Sequence, residues 1–169
     1  MIQEVSGDIL LTKAQVIAHG IAPGDPFAQG LALALRERWP AMVKDFRHWC
    51  HQAHPKPGSI WIWSGPGLRI VNLLTQEGAY EHGKKPGPAH PEWVNHCLRE
   101  LHKEATQQQF TSLALPRLAS GVGGLDWKVV HPMIVQHLGS LSIPICIYTT
   151  YQKGVAADEK LPASAHRPV

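Results

Sequence analysis

The sequence predicts a three-layer α/β/α sandwich around a mixed, mainly parallel sheet. Two observations carry this prediction: short apolar runs alternate with amphipathic stretches along the chain, and the apolar runs are enclosed by the helical segments. A chain of 169 residues is long enough for one domain with a buried core. We expect that domain over residues 1–152. Residues 153–169 show no hydrophobic periodicity, and we predict a flexible C-terminal tail there.

Six apolar runs are predicted to be strands. The third and fourth are separated by Gly-Pro-Gly and should be neighbours in the sheet. The predicted strands cover residues 1–5, 14–19, 59–64, 68–74, 112–118 and 144–151.

Four stretches have the spacing of amphipathic helices. Pro40 should either break the first helix or open the second, and Pro132 should kink the last one near its start. The residues that share a helical face are Leu31, Ala34 and Leu35 in the first, Val43, Phe46, Trp49 and Cys50 in the second, Val94, Cys97, Leu98, Leu101 and Ala105 in the third, and Val129, Val130, Met133, Ile134, His137 and Leu138 in the fourth.

Composition narrows the function classes. No apolar run approaches the length that crosses a bilayer, and the start of the chain does not have the pattern of a secretory signal. Three cysteines, far apart and odd in number, suit a reducing compartment rather than a disulfide scaffold, so we expect a cytoplasmic protein. The formal charge of +3 permits contact with a polyanion without indicating one.

A glycine-rich loop follows the predicted fifth strand. This glycine loop, residues 119–125, has three glycines in four positions and ends just before Asp126, at an expected helix start. Unpaired backbone N–H groups in such a turn, together with the positive end of a helix, bind phosphate oxygens. Ligands of α/β sheets bind beyond the carboxyl ends of the strands. We therefore expect this loop to face the loops after residue 5 and over 20–29.

Four segments together resemble one family. They read GDIL at 7–10, VIAH at 16–19 with the glycine-rich loop that follows, GLA at 30–32, and PRLASGVGGLDW at 116–127. In order and spacing they resemble the macrodomains, which are ADP-ribose-binding α/β modules. The likeness covers roughly residues 1–151. It is strongest to the branch with the terminal ADP-ribose protein hydrolase and the antitoxin macrodomain that removes ADP-ribose from DNA.

The resemblance implies a place for each part of ADP-ribose. Asp8 would accept a hydrogen bond from the adenine amine, although a turn-capping role is the alternative. The glycine loop would hold the diphosphate and the distal ribose, and Tyr148 or Tyr151 would pack on adenine unless it belongs to the core. The implied ligand-binding residues are Asp8, Ile9, His19, Gly24, Gln29, Gly30, Gln76, Ala119, Ser120, Gly121, Val122, Gly123, Gly124, Leu125, Tyr148 and Tyr151.

The sequence departs from the family's pattern in three places. His19 and Ala22 stand where most members have asparagines after the second strand. Gln76 stands where the hydrolases of this branch have a lysine, and Gly123 where some members have a catalytic acid. Glutamine cannot act as an amine nucleophile and carries no charge. We therefore do not expect this chain to use the lysine mechanism of the branch.

Hydrolysis of an ADP-ribosyl bond needs a base for water or a group that stabilises charge on the ribose. We predict His19, Asp25 and Gln29 as catalytic residues beside the distal ribose. His19 ends a strand and could titrate near neutrality, with a neutral structural histidine as the alternative. The alternative role for Asp25 is that of a turn-forming residue. Further candidates, each also compatible with a solvated loop, are Glu77, Glu81, His82, Lys84 and Lys85.

Eleven histidines raise the question of a metal. Cys50, His51 and His54 form a compact cluster, but no second ligand pair stands at zinc-finger spacing and no His-Glu-x-x-His motif occurs. We therefore predict surface histidines at a helix end and no metal. We expect no cofactor, with ADP-ribose as ligand or product.

Three functions are compatible with this pattern. We favour an enzyme that removes ADP-ribose from a protein or a nucleic acid without the usual lysine. The second is a non-catalytic ADP-ribose reader, which Gln76 and Gly123 favour, and the third is a phosphatase of ADP-ribose-1''-phosphate. The expected partner is ADP-ribose or an ADP-ribosylated protein or DNA. We expect no membrane association and a monomer.

Overall fold

The computed structural model describes residues 1–79 and 85–168, and it has the predicted α/β/α architecture. Six strands form one sheet: β1 (Ile2–Gly7), β2 (Val16–Ile21), β3 (Ile60–Gly65), β4 (Leu68–Leu74), β5 (Leu113–Pro116) and β6 (Ile145–Tyr151). Their order across the sheet is β1-β6-β5-β2-β4-β3. β3 is antiparallel to β4, and every other neighbouring pair is parallel. The mixed, mainly parallel sheet is confirmed.

Helices α1 (Gly30–Arg38), α2 (Pro40–Ala53), α3 (Pro91–Gln107) and α4 (Trp127–Leu138) supply the outer layers. Pro40 opens α2 rather than breaking α1 from within, because the first residue of a helix needs no N–H donor. Pro132 lies inside α4, which continues through it. In the part of the chain that the structure describes, no helix is long and apolar enough to cross a membrane.

The core lies on both faces of the sheet because successive residues of a buried strand point to opposite sides. In β2, Val16 and Ala18 pack with α3 and α4, whereas Ile17 and Ile21 pack with α1 and α2. The apolar face predicted for α3 is buried at all five positions, which are Val94, Cys97, Leu98, Leu101 and Ala105. On the other side, the largest fully buried side chains include Phe27, Leu35, Met42 and Phe46.

β2 and β5 pair only at their first residues. Val16 is opposite Leu113 and Ile17 is opposite Ala114, and the ladder ends there. The chain leaves β2 for the face with α1 and α2, and it leaves β5 for the face with α4. Two neighbouring strands whose connections leave in opposite directions form a topological switch point, which is where ligands bind in open α/β sheets.

The strands differ from their predicted limits at this edge. β2 continues to Ile21, beyond the predicted end at residue 19, because β4 offers a pairing partner as far as Leu74. β5 stops at Pro116 instead of residue 118. Proline has no N–H to donate to a continuing ladder.

Residues 153–168 lie against the body of the protein. The backbone N–H of Asp8 donates to Val155 O at 2.7 Å, and Arg167 N donates to Lys13 O at 2.7 Å. Glu159 is only 7% exposed, and its carboxylate accepts from Thr12 Oγ1, from Lys13 N at 2.9 Å and from Tyr148 Oη at 2.8 Å. The sequence gives no sign of these contacts, because an irregular segment has no periodicity. A domain boundary at residue 152 and flexibility beyond it stay predictions.

Replacing Glu159 by alanine should lower the free energy of unfolding by about 1–3 kcal/mol, because the buried hydroxyls of Thr12 and Tyr148 lose their acceptor. Urea denaturation measures this change. The control is Asp158→Ala, which removes the exposed neighbouring carboxylate and should have little effect. Equal effects of the two substitutions would show that Glu159 does not anchor the segment.

Candidate functional site

A large open cavity of about 1370 Å³ lies at the switch point, beyond the carboxyl ends of β2 and β5. Its walls come from the end of β2 with the loop that follows, from the glycine loop, from the loop after β4 and from the last turns of α2. The lining residues include His19, Gly24, Asp25, Gln29, Gly30, Arg47, Cys50, His51, His54, Gln76, Lys85, Arg117, Ala119, Gly121, Val122 and Gly123.

The glycine loop forms one wall through its backbone. Leu125 N donates to Ala119 O at 2.9 Å and Gly124 N donates to Gly121 O at 3.1 Å, so the loop closes on itself. Ala119 and Gly124 have positive φ angles of 59° and 75°. Within residues 1–79 and 85–168, the backbone N–H groups of Gly121, Val122 and Gly123 have no hydrogen-bond acceptor. These three consecutive donors belong to residues that line the cavity. Such a group of amides is suited to anion oxygens.

Packing explains why position 123 is glycine. A Cβ there would lie 2.7 Å from Ala119 O and 2.9 Å from Ala89 Cβ. Ala89 N also donates to Gly123 O at 2.9 Å, which ties the glycine loop to the segment before α3. No acidic side chain fits this position without moving the loop, so an acid at this point is excluded by the local packing.

The N-terminus of α4 contributes less than the sequence predicts. Asp126 caps it, since its Oδ1 accepts from Lys128 N at 2.9 Å. Ser120, Gly124 and Leu125, which were also expected to bind ligand, are not among the cavity-lining residues. Of the residues in this loop that were expected to bind ligand, Ala119, Gly121, Val122 and Gly123 line the cavity.

Asp25 lies in the opposite wall and fixes its own loop. Its Oδ1 accepts from Phe27 N at 2.8 Å and its Oδ2 accepts from Ala22 N at 3.2 Å. This turn places the Phe27 side chain in the core, with a positive φ of 56°. Burial raises the pKa of the Asp25 carboxyl, against these two hydrogen bonds. The Asp25 side chain therefore both forms the turn and lines the cavity.

His19 is a neutral, structural histidine at the base of the cavity. It is 2% exposed and lies opposite Asn72 of β4 in the sheet register. Asn72 Nδ2 faces Trp61 O at 3.4 Å, so Asn72 Oδ1 accepts from His19 Nε2 at 2.6 Å. Burial lowers the pKa of His19 to about 4, although the bond to Asn72 opposes that change. Of the two alternatives for His19, its burial and its bond to Asn72 favour the neutral structural histidine.

Two glutamines line the cavity in different ways. Gln29 is exposed at the N-cap of α1, where its side chain makes no capping hydrogen bond, and Gly30 follows with a φ of 60°. Gln76 is buried, and its Nε2 donates to Gly87 O at 3.0 Å. This bond joins the two ends of the loop after β4. Gln29 is therefore the freer of the two to contact a ligand.

The residues expected to bind adenine lie outside the cavity lining. Asp8 Oδ1 accepts from Leu10 N at 3.0 Å, and its Oδ2 accepts from Gly154 N at 2.9 Å, so the carboxylate holds the C-terminal segment. Tyr148 is buried, with its hydroxyl on Glu159. Tyr151 is exposed at the end of β6. Contacts of these residues and of Ile9 with adenine stay predictions.

The remaining candidates divide between the cavity and the surface. Lys85 lines the cavity, whereas Glu77 is exposed and lies 3.5 Å from His90. Glu81, His82 and Lys84 lie outside the described residues. For the residues that can be described, no group of three His, Cys, Asp or Glu side chains is arranged to hold a metal ion.

The sequence analysis missed that the end of α2 is part of the site. Arg47, Cys50, His51 and His54 all line the cavity. Their spacing of three or four residues marks one helical face, but it is a polar face. A search for polar as well as apolar periodicity would have found it.

Replacing His19 by glutamine tests the neutral histidine. The pKa of about 4 in the folded protein lies below the ordinary histidine value of 6.5, so the unfolded state binds more protons between these values. The contribution of the neutral His19 ring to the free energy of unfolding is fully present above about pH 6.5. It is lost as the pH falls towards about 4, by a total of about 3 kcal/mol. The stability advantage of the wild type over His19→Gln should therefore shrink in this window.

Urea denaturation of both proteins at about pH 7 and about pH 5 measures that difference. His48→Gln, an exposed histidine of α2, is the control and should leave the pH dependence unchanged. A difference between wild type and His19→Gln that stays constant with pH would contradict the neutral assignment.

Comparison with known proteins agrees with this architecture. The family model described as Macro domain matches residues 25–134, more than half of the chain. A "DNA ADP-ribosyl transferase-DNA ADP-ribosyl glycohydrolase fusion protein" from Thermosipho africanus is 22% identical over 89% of this chain and 42% of its own length. The human "ADP-ribose glycohydrolase OARD1" is 24% identical over 86% of this chain and 89% of its own length.

A solved structure described as "Thermosipho africanus DarTG in complex with ADP-ribose" has the same fold, with a TM-score of 0.78. It is 20% identical and matches 99% of this chain but 43% of its own chain. This chain spans about two fifths of the length of the bacterial relatives that it matches. With the family model matching from the Asp25 turn into α4, the chain belongs to the macrodomain family.

Proposed function

We propose that this macrodomain binds ADP-ribose and hydrolyses ADP-ribosyl conjugates of a protein or a nucleic acid, without a lysine at position 76. The observation that carries the proposal is a row of three amides at Gly121, Val122 and Gly123, which have no acceptor among the described residues and belong to the lining of the cavity at the switch point. A diphosphate presents several oxygens to such a row. The names of the Thermosipho and human relatives support ADP-ribose as the nucleotide.

In this proposal Asp25 is the general base. Its two backbone hydrogen bonds hold the carboxylate in one orientation in the wall opposite the glycine loop. Burial raises the pKa of its carboxyl, which makes the carboxylate a better proton acceptor. The carboxylate takes a proton from water while the water oxygen bonds to the anomeric carbon of the distal ribose. The bond to the acceptor breaks, and its electron pair leaves with the acceptor.

The other two predicted catalytic residues support this step. Gln29 is exposed at the start of α1 and can donate to or accept from a ribose hydroxyl. His19 is neutral and bonded to Asn72, so it supplies no charge and instead maintains the floor of the cavity. The thiol of Cys50 is not a competing nucleophile, because burial raises its pKa.

A non-catalytic reader is the second candidate, and Gln76 favours it. The amide at this position is committed to Gly87 O, so the place of the branch's lysine carries neither a nucleophile nor a cation. Reader and hydrolase share the same nucleotide site. They differ only in whether Asp25 and water complete the reaction.

The proposal also covers location and assembly. Cys50, Cys97 and Cys146 are free thiols, as suits a cytoplasmic protein. We propose a monomer that needs no cofactor and contacts ADP-ribose or the macromolecule that carries it.

Calorimetric titration tests nucleotide binding. Wild type should bind free ADP-ribose, and Gly123→Ala should bind it at least ~10-fold more weakly, because the added Cβ displaces the amides. Circular dichroism verifies that the variant is folded. Val129→Ala changes an exposed residue of α4 just beyond the site and should bind as wild type does. No heat of binding with wild type would end the proposal.

Release of ADP-ribose from modified protein and modified DNA tests catalysis. Asp25→Asn should lower the rate by roughly 10²–10⁴-fold, the range of a general base, while it still binds ADP-ribose. Glu77→Gln, an exposed carboxyl on the neighbouring loop, is the control and should react normally. Binding by wild type without release from either substrate would make the protein a reader. Full activity of Asp25→Asn would remove Asp25 from the mechanism.

A further inference from the structure

The cavity has more room than a nucleotide needs. Its volume of about 1370 Å³ exceeds the roughly 300–1,000 Å³ of ordinary small-molecule pockets. The proposed nucleotide site uses the walls formed by the glycine loop and by the loop after β2. Two walls remain, and one of them belongs to the loop after β4. The other is formed by Arg47, Cys50, His51, His54 and Pro55 at the end of α2. We call these five residues the α2 wall.

The α2 wall is rich in hydrogen-bond donors. Arg47, His51 and His54 are exposed, and in the described ranges none of their side-chain nitrogens lies within 4.0 Å of a carboxylate oxygen. Asp25 is the only acidic residue in the described lining, beside Cys50, and its two oxygens accept from backbone N–H groups of its own loop. An anion at Arg47 and the two histidines would meet donors that are not paired with a carboxylate of the described residues.

The backbone of α2 does not supply this attraction. The C-terminal end of a helix carries partial negative charge, which disfavours an anion. One of its last carbonyls is already paired, because His54 N donates to Cys50 O at 3.0 Å. Any anion must therefore be held by the side chains, and the guanidinium of Arg47 is a permanent charge that can do so.

The α2 wall lies next to the proposed reaction centre. The Cys50 thiol is beside the backbone of Gly24 and the carboxyl of Asp25. The part of the substrate that leaves the ribose on this side would pass Arg47 and the two histidines. The α2 wall is thus placed to contact the acceptor rather than the nucleotide.

We propose that the α2 wall is an acceptor subsite that binds a backbone phosphate of a nucleic acid strand carrying ADP-ribose. This inference rests on the proposed function. Arginine binds phosphate through two parallel hydrogen bonds, and a histidine N–H donates to phosphate oxygen. A nucleic acid presents a phosphate beside every modified nucleotide, whatever its sequence. A peptide would need an acidic residue at a fixed distance from its modified residue, so the nucleic acid is the better match.

A matched pair of double variants on α2 tests the subsite. Arg47→Ser with His51→Gln removes two side chains from the α2 wall. Lys44→Ser with His48→Gln also removes one permanent positive charge and one imidazole, at exposed positions of the same helix outside the cavity lining. Fluorescence anisotropy measures the binding of free ADP-ribose, of a single-stranded oligonucleotide with ADP-ribose on one base, and of an ADP-ribosylated peptide.

The variant of the α2 wall should bind free ADP-ribose as wild type does and should bind the modified oligonucleotide at least ~10-fold more weakly. The slope of log Kd against log salt concentration should fall by about 0.7 for each phosphate contact that is lost. The control variant should match wild type in all measurements.

Two results would overturn the subsite. Equal affinities of the two double variants for the modified oligonucleotide would show that the α2 wall does not contact the acceptor. An equal loss with the ADP-ribosylated peptide would show that the wall does not select nucleic acid. If wild type fails to bind free ADP-ribose, the proposed function is contradicted, and so is the subsite that rests on it.

Discussion

The early end of the β2–β5 ladder is the constraint on which the site depends. After Ile17 and Ala114 the two strands no longer pair, so the centre of the sheet opens at its carboxyl edge. The connections then leave for opposite faces of the sheet. Because of this separation, the glycine loop and the loop with Asp25 face each other across a cavity instead of closing on the sheet.

Three of the polar side chains around the cavity also hold the fold. Asp25 forms a turn, His19 pairs with Asn72 across the sheet, and Gln76 joins the ends of its loop. Such buried groups need partners, since an unpaired one would cost about 1–3 kcal/mol. The groups left to meet a ligand are therefore mainly backbone amides of the glycine loop and the donors of the α2 wall. This division favours recognition of anions.

The layers were predictable from the sequence, because α3 buries the apolar face that its spacing indicates. The opening between β2 and β5 was not, since strand pairing depends on contacts that are distant in sequence. Likewise, no pattern in residues 153–168 indicates that Gly154 bonds to Asp8. The glycine-rich pattern correctly indicated a tight loop, because Gly123 is required by close packing; anion binding by this loop stays a prediction. The cluster of Cys50, His51 and His54 indicated only surface histidines at a helix end, and no sequence pattern connects Arg47 with them or with the cavity.

The amide resonances of nitrogen-labelled protein during titration with ADP-ribose test the central claim most directly. The largest shifts should fall on Gly121, Val122 and Gly123, whose N–H groups have no acceptor among the described residues. Resonances of the α2 wall should move less with the free nucleotide and more with a modified oligonucleotide. Shifts that leave the glycine loop unchanged would contradict a diphosphate on these amides.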